Sequence, residues 1–307
     1  MYTRRAIEWP TVALIALVYL VIATLVWFHA SLPWWLLLPV GAYFAGLHSS
    51  LQHEVLHGHP TGSRLLNEAL VFVTPHFWLP YPRYRDTHLT HHNDRHLTDP
   101  RRDPESMYML PEEWNALPGL KRRLYRMNNT LFGRMVMGPA ITVIRFWSAE
   151  FVQIAKGDAY TARAWAYHAA ASAVMIYYVV AIAGMPLWQY VLLFAYPGVS
   201  LALVRSFCEH QAAESPDHRT IIVEASPFWS LLFLNNNLHV AHHTRPSLAW
   251  YKLPAYYRAE KPALLAKNAG YFMRGYGEIF RRFGLVAKEP VPHPHMEWLE
   301  GPPQPGG

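Results

Sequence analysis

Trp9 to His53 reads WPTVALIALVYLVIATLVWFHASLPWWLLLPVGAYFAGLHSSLQH, 45 residues without one Asp, Glu, Lys or Arg. A membrane-crossing helix needs about 20 apolar residues to cover roughly 30 Å of hydrocarbon. The run is therefore long enough for two helices and a tight turn at Ala30-Ser31-Leu32-Pro33. A second uncharged run, Ala164 to Val204, holds 41 residues and turns at Gly184-Met185-Pro186. The expected fold is an all-α integral membrane protein of two transmembrane helical hairpins. Its four spans fall at about 11–28, 33–52, 164–183 and 187–206. Segments 53–163 and 207–285 form a cytoplasmic helical cap. Residues 1–285 read as a single domain, and 286–307, rich in proline and glycine, as a disordered tail.

Charge placement orients the hairpins. All 27 Lys and Arg lie outside the two turns, so the positive-inside rule puts both termini and the middle segment in the cytoplasm. The net charge of +6 then faces anionic membrane lipids, and no nucleic-acid partner is expected. Arg4 and Arg5 precede an apolar run as in a signal peptide, but about 18 residues exceeds the usual h-region, so the helix is expected to be retained. The single cysteine, Cys208, excludes intrachain disulfides, Cys-x-x-Cys redox pairs and thiolate iron–sulfur clusters. It reads as a packing residue.

The cap segments carry the chemistry. In THLTHHNDRH, Thr87 to His96, the residues His88, His91 and His92 fall at i, i+3 and i+4, one face of a helix. The spacing returns as His239, His242 and His243 (HVAHH), and a shorter pair, His53 and His57 (HEVLH), precedes both. With 18 His in the chain, chance alone gives roughly 0.06 copies of His-x-x-His-His, so two copies are specific. His210 follows the fourth span and makes a ninth candidate. His48 and His76 read as packed side chains, His59 is a weaker ligand candidate because Gly58 and Pro60 end the helix there, and His293 and His295 belong to the tail.

Several neighbours are suited to orient imidazoles by accepting their outer N–H. Glu54 lies between the first pair. The turn Asp99-Pro100-Arg101-Arg102-Asp103-Pro104-Glu105 offers carboxylates, with Asp99 the candidate, unless it is an ordinary solvated loop. Asn235, Asn236 and Asn237 precede His239 and either orient ligands or cap the apolar segment before them. Glu209 precedes His210. His96 continues the column of His88 and His92 and is expected as a ligand or its neighbour. Elsewhere, Ala69 to Tyr81 suits an interfacial or re-entrant segment, Pro111 to Gly157 a membrane-surface helix, and Pro197-Gly198 a kink in the fourth span.

Nine imidazoles exceed the needs of one four-coordinate metal, so the count implies two metals with four or five ring nitrogens each. Imidazole suits Zn, Cu, Fe and Ni alike, and the ligand type leaves the element open.

The motifs HEVLHGH, HLTHHNDRHLTDP and NNNLHVAHHTRP, set around two hydrophobic hairpins, resemble the membrane fatty acid desaturase family, its bacterial members most closely, from about Leu47 to Arg282. That resemblance implies two non-haem iron ions, O2 as co-substrate, and removal of hydrogen from an unactivated carbon of a lipid acyl chain. It carries His53, His57, His88, His91, His92, His239, His242 and His243 over as iron ligands, and His210 as the extra ligand after the fourth span. It also implies a bacterial inner-membrane location with the active site at the cytoplasmic face. Lacking haem-attachment and cysteine motifs, the chain is expected to take electrons from a separate ferredoxin-, rubredoxin- or cytochrome-type donor.

Hydroxylases and carotenoid ketolases of the same superfamily share the ligand set. Membrane alkane hydroxylases space the second box by one residue more and carry an additional box, which favours desaturation here. A histidine-rich metal transporter would place ionisable groups near the bilayer midplane, whereas these clusters lie beyond the span ends. A hydrolytic zinc site needs only three histidines and an open position.

Overall fold

The computed structural model describes residues 6–299 apart from Asn93. Helix α1 (Trp9–Trp27) turns into α2 (Trp34–Leu56), and the short α3 (Arg64–Val71) and α4 (Tyr81–His91) follow. After them come α5 (Pro111–Ala116), α6 (Gly119–Asn128) and α7 (Leu131–Ala155). Helix α8 (Ala159–Tyr177) widens into a π turn at Tyr178–Ile182; α9 (Leu187–Tyr190) does so at Val191–Ala195 before α10 (Tyr196–Glu209). The chain ends with α11 (Pro227–Leu232), α12 (His239–Thr244), α13 (Leu253–Lys267) and α14 (Tyr276–Phe283). Among the described residues the only sheet is the parallel pair β1 (Ile222–Val223) and β2 (Phe272–Met273).

Local sequence explains several boundaries. Asp158 accepts from the Tyr160 and Thr161 amides and starts α8, and Thr130 accepts from the Gly133 amide at the start of α7. Pro197 follows directly on the π turn at Val191–Ala195, inside the continuous helical stretch Leu187–Glu209. The kink expected at Pro197-Gly198 falls beside that wider turn, itself a place where helices bend. Gly198 serves contact: a Cβ there would lie 2.6 Å from the Ala45 Cβ, so α2 and α10 pack backbone to backbone. In hydrocarbon such close packing, rather than water exclusion, holds helices together. Val18, Ile22, Leu47, Leu51, Phe194 and Val204 belong to the main buried core.

Among the described residues, four helices are long and apolar enough to cross a membrane: Trp9–Trp27, Leu131–Ala155, Ala159–Ile182 and Leu187–Glu209. The number matches the sequence expectation and the membership differs by one. Helix α2 falls out because its second half carries His48, Ser50, Gln52, His53 and Glu54, all buried by neighbouring helices. Helix α7, expected within the cap, enters because Arg134, Arg145 and Glu150 break up a stretch that is otherwise apolar and largely turned outward. Two of those charges are buried: Arg134 inside the fold, and Glu150 in a two-bonded pair with Arg83 at 2.8 and 2.9 Å.

Residues 72–80, between α3 and α4, lie among the long helices. Their carbonyls are met from outside: Tyr190 Oη donates to Pro75 O, Trp147 Nε1 to Trp78 O, and the His168 ring to Phe77 O, at 2.7 to 2.9 Å. Irregular backbone at membrane depth requires such partners.

The expectation of a loose tail from 286 gives way over 286–299. Met109 N donates to Val291 O and His293 N to Met109 O, and Tyr108 Oη donates to Glu289 at 2.6 Å. A backbone bridge and a buried Val291 offset the turn-prone composition; 300–307 lie outside the described residues.

Candidate metal centre

Four segments deliver histidines to one place. His53 sits in the last turn of α2 and His57 caps it; His88 and His91 end α4 and His92 caps it. His210 caps α10, where its extended backbone bridges to Thr220. Leu234 and Asn235 adopt positive φ and turn the chain into α12, which carries His239, His242 and His243.

The nine rings form two adjoining groups. His53, His57, His88, His92 and His242 make one and His91, His210, His239 and His243 the other, with ligand-capable atoms within 4.8 Å of one another in each. In the first, His92 Nε2 lies 3.0 Å from His88 Nε2 and 3.2 Å from His242 Nε2. In the second, His210 Nε2 lies 3.0 Å from His91 Nε2 and 3.2 Å from His239 Nε2. Imidazoles about 2.1 Å from a metal at right angles would have nitrogens about 3 Å apart, so this spacing fits a coordination sphere. His57 Nε2 is buried with no hydrogen-bond partner, as a nitrogen directed at a metal would be.

The outer ring nitrogens are held by the protein. His91 Nδ1 donates to Asp103 at 2.8 Å, His88 Nδ1 to Glu105 at 2.9 Å, and His239 Nδ1 to Asn236 Oδ1 at 3.0 Å. Such contacts fix the tautomer and turn Nε2 inward. Burial and repulsion among the rings hold His57, His92, His210, His239 and His242 below the usual histidine range, leaving their lone pairs available. For His91 burial is outweighed by Glu105 and Asp103, which raise it to about 9.

The other expected neighbours behave differently from one another. Asn236 orients His239, and its amide nitrogen also approaches Glu209 and His53 at 3.4 Å. Asn235 and Asn237 instead donate to the Trp250 and Val223 carbonyls and shape the turn. Glu209 pairs with Arg205 at 2.8 Å and lies 3.6 Å from His239 Nδ1. Glu54 accepts the Trp250 amide at 2.9 Å and joins His59 and Glu8 in a separate cluster. Asp99 accepts the Arg101 amide within its own turn, and Asp103 and Glu105 take the place expected of it. His96 belongs to neither group, because α4 stops at His91 and residues 94–96 form a separate turn. Asp103 and Glu105 were present in the acidic turn, but which carboxylates reach back depends on a fold of the loop that carries no sequence period.

Apolar helices of membrane length and two imidazole clusters spaced for metal define the class: a membrane protein built around a histidine metal site. Within it, the family model for fatty acid desaturase matches residues 29–275, a span that includes all nine histidines, and the chain belongs to that family. Membership places it among oxidoreductases that modify lipids. No curated protein matches the chain significantly.

Proposed function

We propose that the protein desaturates a lipid acyl chain with O2 at two irons held by the nine histidines. The observation that carries this reading is the division of the rings into adjoining groups of five and four, with Nδ1 atoms of His88 and His91 backed by carboxylates. Bound there, iron supplies the oxidising power that an alkyl C–H bond, lacking an acidic or electrophilic handle, requires. A CH2–CH2 unit gives up two hydrogens and becomes CH=CH. Those two hydrogens, with two further electrons and two protons, take O2 to two waters. A separate ferredoxin-, rubredoxin- or cytochrome-type donor delivers the electrons. The residues' own part is to turn the ring nitrogens towards one another and to keep the centre buried.

The topology we propose has the histidines and both termini at the cytoplasmic face, of an inner membrane in a bacterial host. Helix α7 then lies along that face rather than crossing. Two contacts support this: at its start Arg134 borders the same cavity as His91 and His210, and near its end Glu150 pairs with Arg83 on the histidine-bearing α4. Helices α1 with α2, and α8 with α9–α10, remain as the two hairpins.

The test is expression in a host lipid background followed by metal analysis and mass spectrometry of lipids. Two irons per chain and lipids lighter by two hydrogens are expected. Full activity with zinc alone, or products carrying an added oxygen, would overturn the assignment.

A further inference from the structure

Arg134 is 3% exposed and, among the described residues, pairs with no carboxylate. Its Nε donates to Asn128 O at 3.0 Å, one terminal nitrogen meets only the Met107 sulfur at 3.4 Å, and the guanidinium lies over the Phe207 ring at 5.7 Å. The other deeply placed arginines lie against oxygen atoms. Arg219 donates to the Ala213, Leu97 and Glu214 carbonyls, and Arg205 pairs with Glu209. A buried guanidinium with open donors and no counter-charge is costly unless something completes it.

What it faces is a cavity of about 50 Å³ that also touches His91 and His210. The remaining charges on its wall are accounted for. Lys288 pairs with Glu289 at 3.1 Å, Glu289 also accepts from Tyr108, and Asp103 and Glu105 are turned to His91 and His88. Arg134 is the charge left over.

We propose that this cavity binds a carboxylate on Arg134, and that the substrate is therefore an acid bearing a free carboxylate rather than its ester. A guanidinium fork matches the two oxygens of a carboxylate. The volume holds about three to five water-sized spheres, enough for a carboxylate. The inference rests on the proposed function and narrows its substrate class.

The experiment measures binding of decanoate and of methyl decanoate to the purified metal-loaded protein in detergent by titration calorimetry. The acid is expected to bind at least tenfold more tightly than the ester in the wild type. Arg134→Met should abolish that preference and Arg134→Lys should keep part of it. Equal binding of acid and ester by the folded wild type overturns the proposal, whether or not either variant folds. So does an undiminished preference in Arg134→Met. Wild-type iron content and lipid products are read separately. Desaturated lipid without acid preference removes this inference alone, and acid preference without oxidised lipid removes the proposed reaction.

Discussion

Asp103 Oδ1 accepts from His91 Nδ1 at 2.8 Å, and the opposite nitrogen of the same ring stands 3.0 Å from His210 Nε2. One carboxylate on a loop thereby aims a ring from α4 at a ring from the end of α10. The change Asp103→Asn keeps the shape of that side chain and removes its charge. It is expected to weaken metal retention by about 10- to 100-fold, read as metal content after dialysis against graded chelator. Unchanged retention would mean the contact is incidental.

His91→Ala and His242→Ala each remove a ring from a different group. Both are expected to abolish product formation while the protein stays in the membrane, since neither residue lies in a long apolar helix. Each should also lower the metal content of the purified protein. Lipid profiles matching the wild type would contradict the placement of that ring at a metal.

Gly198 faces Ala45 so closely that a methyl group cannot enter without moving a helix. Gly198→Ala is expected to destabilise by about 1–3 kcal/mol, as overpacking does. Thermal unfolding in detergent measures it, and an unaltered melting temperature would show that α2 and α10 can part freely.

In the metal-free protein, five rings held below the usual histidine range refuse protons that the unfolded chain accepts below about pH 6.5. Their stability contribution is present above that pH and is lost as the pH falls. His91, raised to about 9, runs the other way: its contribution is complete below about 6.5 and fades as the pH climbs through 9. The five outnumber the one, so the metal-free protein should melt at a lower temperature at about pH 5.5 than at about pH 7.5. A higher melting temperature at the acid pH would reverse the assignment of neutral rings.

The long helices Trp9–Trp27, Ala159–Ile182 and Leu187–Glu209 were legible because absence of charge and the about 20-residue span leave a clear pattern in sequence. The histidines were legible as sets because i, i+3 and i+4 share a helix face. Helix α7 was legible as a membrane-surface helix within Pro111 to Gly157 but not as one of membrane length, since Arg134, Arg145 and Glu150 interrupt its apolar run; only the fold shows Arg134 and Glu150 to be buried. The choice of Asp103 and Glu105 over Asp99, and the exclusion of His96, depend on where α4 stops and how the next loop doubles back. The packing of 286–299 joins Tyr108 to Glu289 across 181 residues of chain, a relationship no local pattern encodes.

His53 and His243 stand 190 residues apart and meet in adjoining clusters. At about 5–20 residues per second, a ribosome finishes His243 roughly 10 to 40 seconds after His53. Through that interval the earlier rings have no complete set of companions, so metal loading belongs to the end of synthesis. A chain cut short before α12 would reach the membrane with its long apolar helices made and its histidine set incomplete.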